Sequence, residues 1–360
     1  MLLDLQRIFS TSALFAPLLA FTRQKKTDEL LRQPIIKEKK DEESDGRFFR
    51  MGHGGTLDPM ASGVLIVGIG RGTRSLSGYL NCSKTYETVI LFGKSTDTYD
   101  ADGEIIEQKD ASHVDEALVT KQLAKFRGKS RQMPPAYSAL KIHGIKACQY
   151  LRQGKELPRA LVDREVYVEE CSMTKWMGVG EHDFRWPDDE SPATAPAARI
   201  NLIVSSGFYV RSFANDLGIA CGTVATMVEL VRTRQADFVT HHMSATDHTK
   251  PSLEAVSYAD LEAGEIAWGP VVQRQLKKWT DENPPLERQT HVNGRDPNTK
   301  KRLIEEEKAK VRQRFHGEWQ AKTRKERRKQ EEQAKHKLNG EDYAEAQVAN
   351  LEPSTNFGLA

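Results

Sequence analysis

The stretch Gly52-His53-Gly54-Gly55-Thr56-Leu57-Asp58-Pro59-Met60-Ala61-Ser62-Gly63 constrains this chain more than any other. Its glycines permit positive φ and let another molecule approach the backbone closely, where a Cβ would clash. Pro59 excludes the helical region for Asp58, so the carboxylate is held on a stiff loop ahead of the apolar run Val64-Leu65-Ile66-Val67. Stiff loops on a scaffold are where catalytic groups tend to sit. Taken alone, the stretch reads more simply as a glycine-rich turn in which Asp58 caps the next segment.

Composition narrows the setting. Charged residues make up 29% of the 360 and the hydrophobic class only 38%, which predicts a core domain with a long polar extension. The net charge of +2 means that a nucleic-acid site must come from local clustering of cations. Cys82, Cys148, Cys171 and Cys221 lie far apart with no CxxC pair, which argues against zinc and against a disulfide framework. A reducing intracellular compartment fits that usage. No apolar run reaches membrane-spanning length.

Along the chain, residues 1–23 read as an amphipathic helix with Leu2, Leu5, Ile8 and Phe9 on one face. The alternative is a mitochondrial presequence, against which Asp4 and the low arginine content count. Residues 24–49 read as a charged, solvated linker. Lys84–Gly93 is β-rich, and Thr96–Gly103 reads as a turn, since the spacing of Asp97, Asp100 and Asp102 is not that of a calcium loop. A helix is expected over 111–129 with Val114, Leu118, Leu123 and Phe126 as its apolar face. A basic helix is expected over Ile145–Gln153, with Lys146, Tyr150, Arg152 and Lys155 along it. Strands follow over Arg164–Trp176 and Ile200–Ser205, separated by a variable loop over 177–198. A closing helix over 252–279 packs Trp268 and Trp279. The polar tail 281–360 carries its densest basic cluster at Lys322–Lys329, which suits an RNA contact, a nuclear address or a solvated helix. His241, His242 and His248 lack the carboxylate or cysteine that would complete a metal set.

Ordered blocks, spanning roughly residues 50 to 240, resemble the TruB family of tRNA pseudouridine synthases. The glycines, His53, Leu57, Asp58, Pro59, Ala61 and Gly63 match that family's aspartate loop, in a form most like the fungal stand-alone enzymes. The Lys84-Thr85-Tyr86 strand, the Gln132–Lys141 block and Gly207-Phe208-Tyr209-Val210-Arg211 match in order, followed by Leu230-Val231-Arg232. The resemblance implies an α+β pseudouridine synthase fold: a mixed, mostly antiparallel central sheet flanked by helices, in a catalytic domain over 50–280. It further implies an RNA-gripping insertion over 131–163.

It implies isomerisation of uridine to pseudouridine in tRNA, at the T-loop uridine called position 55, with Asp58 as the catalytic residue. Arg211 would fix the rotamer of Asp58 through a two-bond pair, and Tyr86 would stack on the base. Tyr209 would supply a second aromatic and Leu230 an apolar wall. His53 would fill the space left by the flipped nucleotide. Lys141, Lys146, Arg152 and Lys155 would grip RNA, as weaker candidates. No cofactor, membrane or obligate protein partner is implied, and a monomer acting in the nucleus or mitochondrion, or in the cytoplasm, is expected. Relatives carry a strand before the first helix that has no counterpart here, so the first strand is expected to be missing. Two other functions remain open: a guide-dependent ribosomal RNA enzyme of the same superfamily, or a tRNA-binding module with impaired catalysis.

Overall fold

Long β-rich segments dominate the middle of the chain and assemble one large sheet. The structure is a computed structural model and describes residues 1–32, 48–240 and 252–284. In chain order the elements begin with helices α1 (Leu2–Ser10) and α2 (Ala16–Arg32), strands β1 (Met51–His53), β2 (Ser62–Gly63) and β3 (Val67–Ile69), and helix α3 (Leu76–Asn81). Next come β4 (Lys84–Phe92), β5 (Lys94–Thr96), β6 (Ile105–Gln108), α4 (Glu116–Leu123), β7 (Gly128–Gln132), β8 (Lys141–Ile142), β9 (Ile145–Lys146) and α5 (Ala147–Arg152). The chain continues through β10 (Arg164–Met177), β11 (Ala197–Val204), α6 (Val210–Ala220), β12 (Ala225–Gln235), β13 (Phe238–Val239), β14 (Leu253–Glu254), α7 (Tyr258–Ala263) and α8 (Glu265–Glu282).

The main sheet runs β14-β13-β12-β4-β11-β10-β7, with β2 lying parallel against β12. Only β12–β2 and β13–β14 are parallel among its pairs, so the expected mixed, mostly antiparallel sheet is present. Period-two alternation on β4 sends Tyr86, Ile90 and Phe92 to one face and Val89 and Leu91 to the other. The first face packs against α6 and α4 through Phe213, Leu217, Val119 and Leu123. The second is covered by the 178–196 segment, whose Trp186 and Ala193 are buried. That stretch, expected as a variable loop, is therefore a lid on the sheet.

A second apolar cluster joins Leu5, Phe9, Phe15 and Leu19 to Phe49, Trp268 and Val272, with Leu2 and Ile8 half-buried beside them. The expected helical face of the N-terminus is present, but residues 1–23 are not one helix. The carboxylate of Glu265 accepts from the Ser12 hydroxyl at 2.9 Å and from the Ala13 and Leu14 N–H groups at 2.9 and 2.8 Å. It stabilises a break after Ser10, and α2 then continues through Arg32, into the segment expected as a linker.

Two other helices are shorter than expected. Asp115 caps α4 by accepting from Leu118 N at 2.7 Å, and the chain tightens into a 3₁₀ turn at Ala124–Phe126. Gly128 at φ +94° then turns residues 128–132 into a strand. His143 (φ +50°) and Gly144 (φ +85°) form the tight turn of a hairpin in which Lys141 faces Lys146. The basic helix therefore begins only at Ala147, leaving Lys146 before it and Lys155 beyond it. The C-terminal expectation of one helix becomes β14, α7 and α8. The histidines at 241, 242 and 248, the charge run at 37–45 and the basic cluster at 322–329 lie outside the described residues.

Candidate active site

The aspartate loop is pinned from behind by β12. The Arg232 guanidinium is 1% exposed and donates to the carbonyls of Val64 (Nε, 2.7 Å), Gly55 (3.2 Å) and Thr56 (3.4 Å), on both sides of Asp58. Gln235 Nε2 donates to Gly54 O at 2.7 Å and to Tyr79 O at 2.9 Å. Val64 N returns a bond to Arg232 O at 2.8 Å. Gly63, at φ +99°, lies so close to the Arg232 carbonyl that a Cβ would collide with backbone.

On this frame, Arg211 grips Asp58 with a planar fork. Nε lies 3.0 Å from Oδ2 and Nη2 lies 2.9 Å from Oδ1. Arg211 is buried while Asp58 is half-buried, so the carboxylate keeps one open side. The same guanidinium donates to Thr98 O at 3.1 Å and Tyr137 O at 2.9 Å, and Nε lies 3.3 Å from Asp100 Oδ2. One side chain thus ties together the aspartate loop, the 96–103 turn, the Gln132–Lys141 block and α6. Bidentate pairs of this kind fix geometry as well as charge.

Asp100 is the residue that sequence reasoning passed over. Read as part of an ordinary turn, it is 3% exposed and accepts from the Thr98 hydroxyl at 2.6 Å and from Asp102 N at 3.1 Å. Burial pushes its carboxyl above the usual aspartate range, against the opposing pull of the Thr98 hydrogen bond and the Arg211 charge. Tyr99 beside it adopts φ +63°, a conformation sparsely populated by residues with a Cβ. The only signal in the sequence was an acid-rich turn between two short strands. Arg232, Gln235 and Gln132 also went unassigned, because a buried polar residue at a strand end looks like any surface one.

Tyr86 stands directly opposite Arg232 in the β4–β12 register. It is buried, and burial raises its phenol above the usual tyrosine range, while the Arg232 charge works the other way. The Asp58 charge acts on the same phenol and raises it further. Leu230, 4% exposed, packs in the cluster that holds Tyr86, and Met60 and Ala61 of the aspartate loop pack against that cluster. Tyr209 has a different setting: its ring lies 5.3 Å from the Arg164 guanidinium, and its backbone is held by Gln132. His53 is exposed at the end of β1. Lys141, Lys146, Arg152 and Lys155 are all exposed on the hairpin, α5 and the turn after it.

The arrangement offers one oriented carboxylate, a protonated phenol and an apolar wall. That suits nucleophilic or proton-transfer chemistry on a flat ring. Among the described residues no group of three or more His, Cys, Asp or Glu is placed to hold a metal ion. Nor is any described helix long and apolar enough to cross a membrane.

Comparison with known proteins shows what the chain as a whole is similar to. The model for "TruB family pseudouridylate synthase (N terminal domain)" matches residues 44–210, which include Asp58, Tyr86 and Tyr209 and stop one residue short of Arg211. A tRNA pseudouridine synthase 4 from Schizosaccharomyces pombe is 32% identical over 303 residues, covering 61% of this chain and 74% of its own length. A tRNA pseudouridine synthase B from Thermobifida fusca is 39% identical over 227 residues, covering 60% of this chain and 73% of its own. A solved Cbf5-Nop10-Gar1 complex aligns with 61% of this chain and 47% of that one, at 23% identity and a TM-score of 0.39.

Proposed function

The chain belongs to the TruB family of pseudouridylate synthases, and on that premise we propose that Asp58 drives the reaction, on the T-loop uridine of tRNA. The activity is isomerisation of uridine to pseudouridine in tRNA. The C1′–N1 bond breaks, the base turns, and a C1′–C5 bond forms; C5 loses a proton and N1 gains one. Asp58 acts either as nucleophile on the ribose or by removing a ribose proton. The observation that carries this role is the two-bond fork from Arg211, which leaves one side of the carboxylate open to substrate.

Tyr86 stacks on the base as a neutral phenol, because its burial disfavours the phenolate that would act as base. Leu230 walls the ring and Tyr209 lies at the edge of the site. The exposed His53 enters the duplex position that the everted nucleotide leaves. Lys141, Lys146, Arg152 and Lys155 contact tRNA phosphates. The isomerisation is redox-neutral and its balance calls for no cofactor. The enzyme works as a monomer, in the nucleus or mitochondrion, or in the cytoplasm.

The test is isotope release from tRNA labelled at uridine C5, paired with mapping of the modified position. Asp58→Asn is expected to abolish release while tRNA binding stays nearly intact, because phosphate contacts supply most of the affinity. Arg211→Lys is expected to lose on the order of a hundredfold in rate. Substantial turnover by the Asn variant would remove Asp58 from its role, and product outside the T-loop would overturn the assigned target.

A further inference from the structure

The aspartate loop hangs between two supports. At its far end β2 is fixed to the main sheet through β12. At its near end β1 joins β3 in a separate two-stranded ribbon, with Met51 opposite Ile69 and His53 opposite Val67. An isolated pair of strands is marginal in water, so this ribbon takes its place from what it packs on. Met51, Val67 and Ile69 rest against the N-terminal cluster of Leu5, Phe9, Phe15, Phe49 and Trp268. Apolar contact of that kind is non-directional and does not by itself fix where the ribbon lies on the cluster.

Gln6 supplies the direction. Its side chain lies on α1, 4% exposed, and its amide is engaged at three points. Nε2 donates to Phe49 O at 2.6 Å, and Oε1 accepts from Phe48 N at 2.9 Å and from Phe49 N at 3.1 Å. Phe48 and Phe49 lie just before β1, outside any strand. Their backbone groups still need partners where they are buried, and Gln6 provides them as a neighbouring strand would. One residue on, Gly70 N donates to Arg50 O at 2.8 Å and closes the ribbon, and Gly54 N donates to Ile66 O at 2.8 Å at its other end. A continuous set of directional bonds therefore runs from α1 through residues 48–50 to the start of the loop that carries Asp58.

We propose that Gln6 is a positioning residue for the isomerisation: by clasping Phe48 and Phe49 it places the β1–β3 ribbon, and through it the entry of the Asp58 loop. It touches no substrate. The proposal rests on the reading of Asp58 given above and adds an anchor for its loop, separate from the one that Arg232 and Gln235 provide.

The test measures single-turnover isomerisation and tRNA binding by the full chain, with each rate corrected for the folded fraction from thermal melts. Gln6→Leu keeps the bulk but leaves three backbone groups unanswered. Its rate per folded molecule is expected to fall about tenfold, since small misplacements of a reacting group are costly. Its tRNA affinity should stay within about twofold of wild type, because phosphate contacts supply most of it. Gln6→Glu covers misfolding of the leucine variant. An ionised carboxylate there can accept from Phe48 N and Phe49 N but cannot donate to Phe49 O, whereas the protonated acid can do both. Burial among apolar side chains favours the protonated form. The corrected rate of Gln6→Glu, taken relative to wild type at the same pH, should therefore recover as pH falls. A residue serving the fold alone would show that response in the melts and not in the corrected rate. A wild-type rate per folded molecule in Gln6→Leu, or a Gln6→Glu ratio that does not change with pH, would overturn the proposal. Failure of the wild-type chain to isomerise tRNA, or turnover by Asp58→Asn, would instead overturn the reading on which it rests, so the two outcomes are separable.

Discussion

Gln132 closes its side-chain amide on both ends of the Tyr209 backbone: Tyr209 N donates to Oε1 at 2.8 Å and Nε2 donates to Tyr209 O at 3.0 Å. Gln132 itself is buried at the end of β7. The clasp sets where α6 begins, and Arg211 lies in the first turn of that helix. Gln132→Leu would orphan a buried donor and acceptor at a cost of about 1–3 kcal/mol. It would also loosen the placement of Arg211 on Asp58. The urea midpoint should fall, and kcat should fall more than KM changes.

Arg232 should prove as necessary as Arg211 without touching substrate. A lysine at its position keeps the charge, but one nitrogen cannot serve the carbonyls of Gly55, Thr56 and Val64 at once. Arg232→Lys is expected to cost about 3 kcal/mol in stability and to depress turnover while tRNA affinity is retained. Equilibrium denaturation and single-turnover rates would check both halves. A variant with native stability and slow chemistry would show that the loop, not the fold, depends on this residue.

The exposed cations of the hairpin and α5 bear on affinity alone. Replacing Lys141, Lys146, Arg152 and Lys155 together by alanine removes up to four phosphate contacts, each worth about 0.7–0.9 in the slope of log affinity against log salt. Binding titrations at several salt concentrations should show the slope flatten. An unchanged slope would return these residues to a solvated surface.

Acid should loosen the N-terminal helices before the sheet. Hydrogen bonds from Leu14 N, Ala13 N and the Ser12 hydroxyl hold the half-buried Glu265 carboxyl below the usual glutamate range. A depressed folded-state value means that its contribution is fully present above the unfolded value, about 4.3, and is lost as pH falls through the folded one. Hydrogen exchange at the Ala13 and Leu14 amides should therefore quicken as pH drops through that window. Glu265→Gln should show fast exchange across the whole range.

Much of this was readable from residues alone. The stiff loop carrying Asp58, the strands around Tyr86 and Val166–Cys171, and the amphipathic face of Leu2, Leu5, Ile8 and Phe9 all follow from local rules: proline restriction, period-two alternation and helical spacing. These rules act over a few residues, so a sequence displays them directly. Helix limits were less readable. Whether residues 11–15 continue a helix depends on Glu265, some 250 positions away.

The site's interior belongs to tertiary structure for a related reason. Strict alternation along β12 from Met227 would turn Glu229 and Val231 toward Tyr86. A bulge between Met227 and Glu229 shifts the register, so that Leu230 and Arg232 face the site instead. A second shift between Arg232 and Arg234 brings Gln235 to the same loop. Asp100 became a partner of Arg211 only because the 96–103 turn folds back over α6. The sequence by itself determined which loop holds the carboxylate and which strands surround it. Only the tertiary structure decided which buried polar groups hold that loop in place, because register and long-range hydrogen bonding are properties of paired segments, not of any one segment.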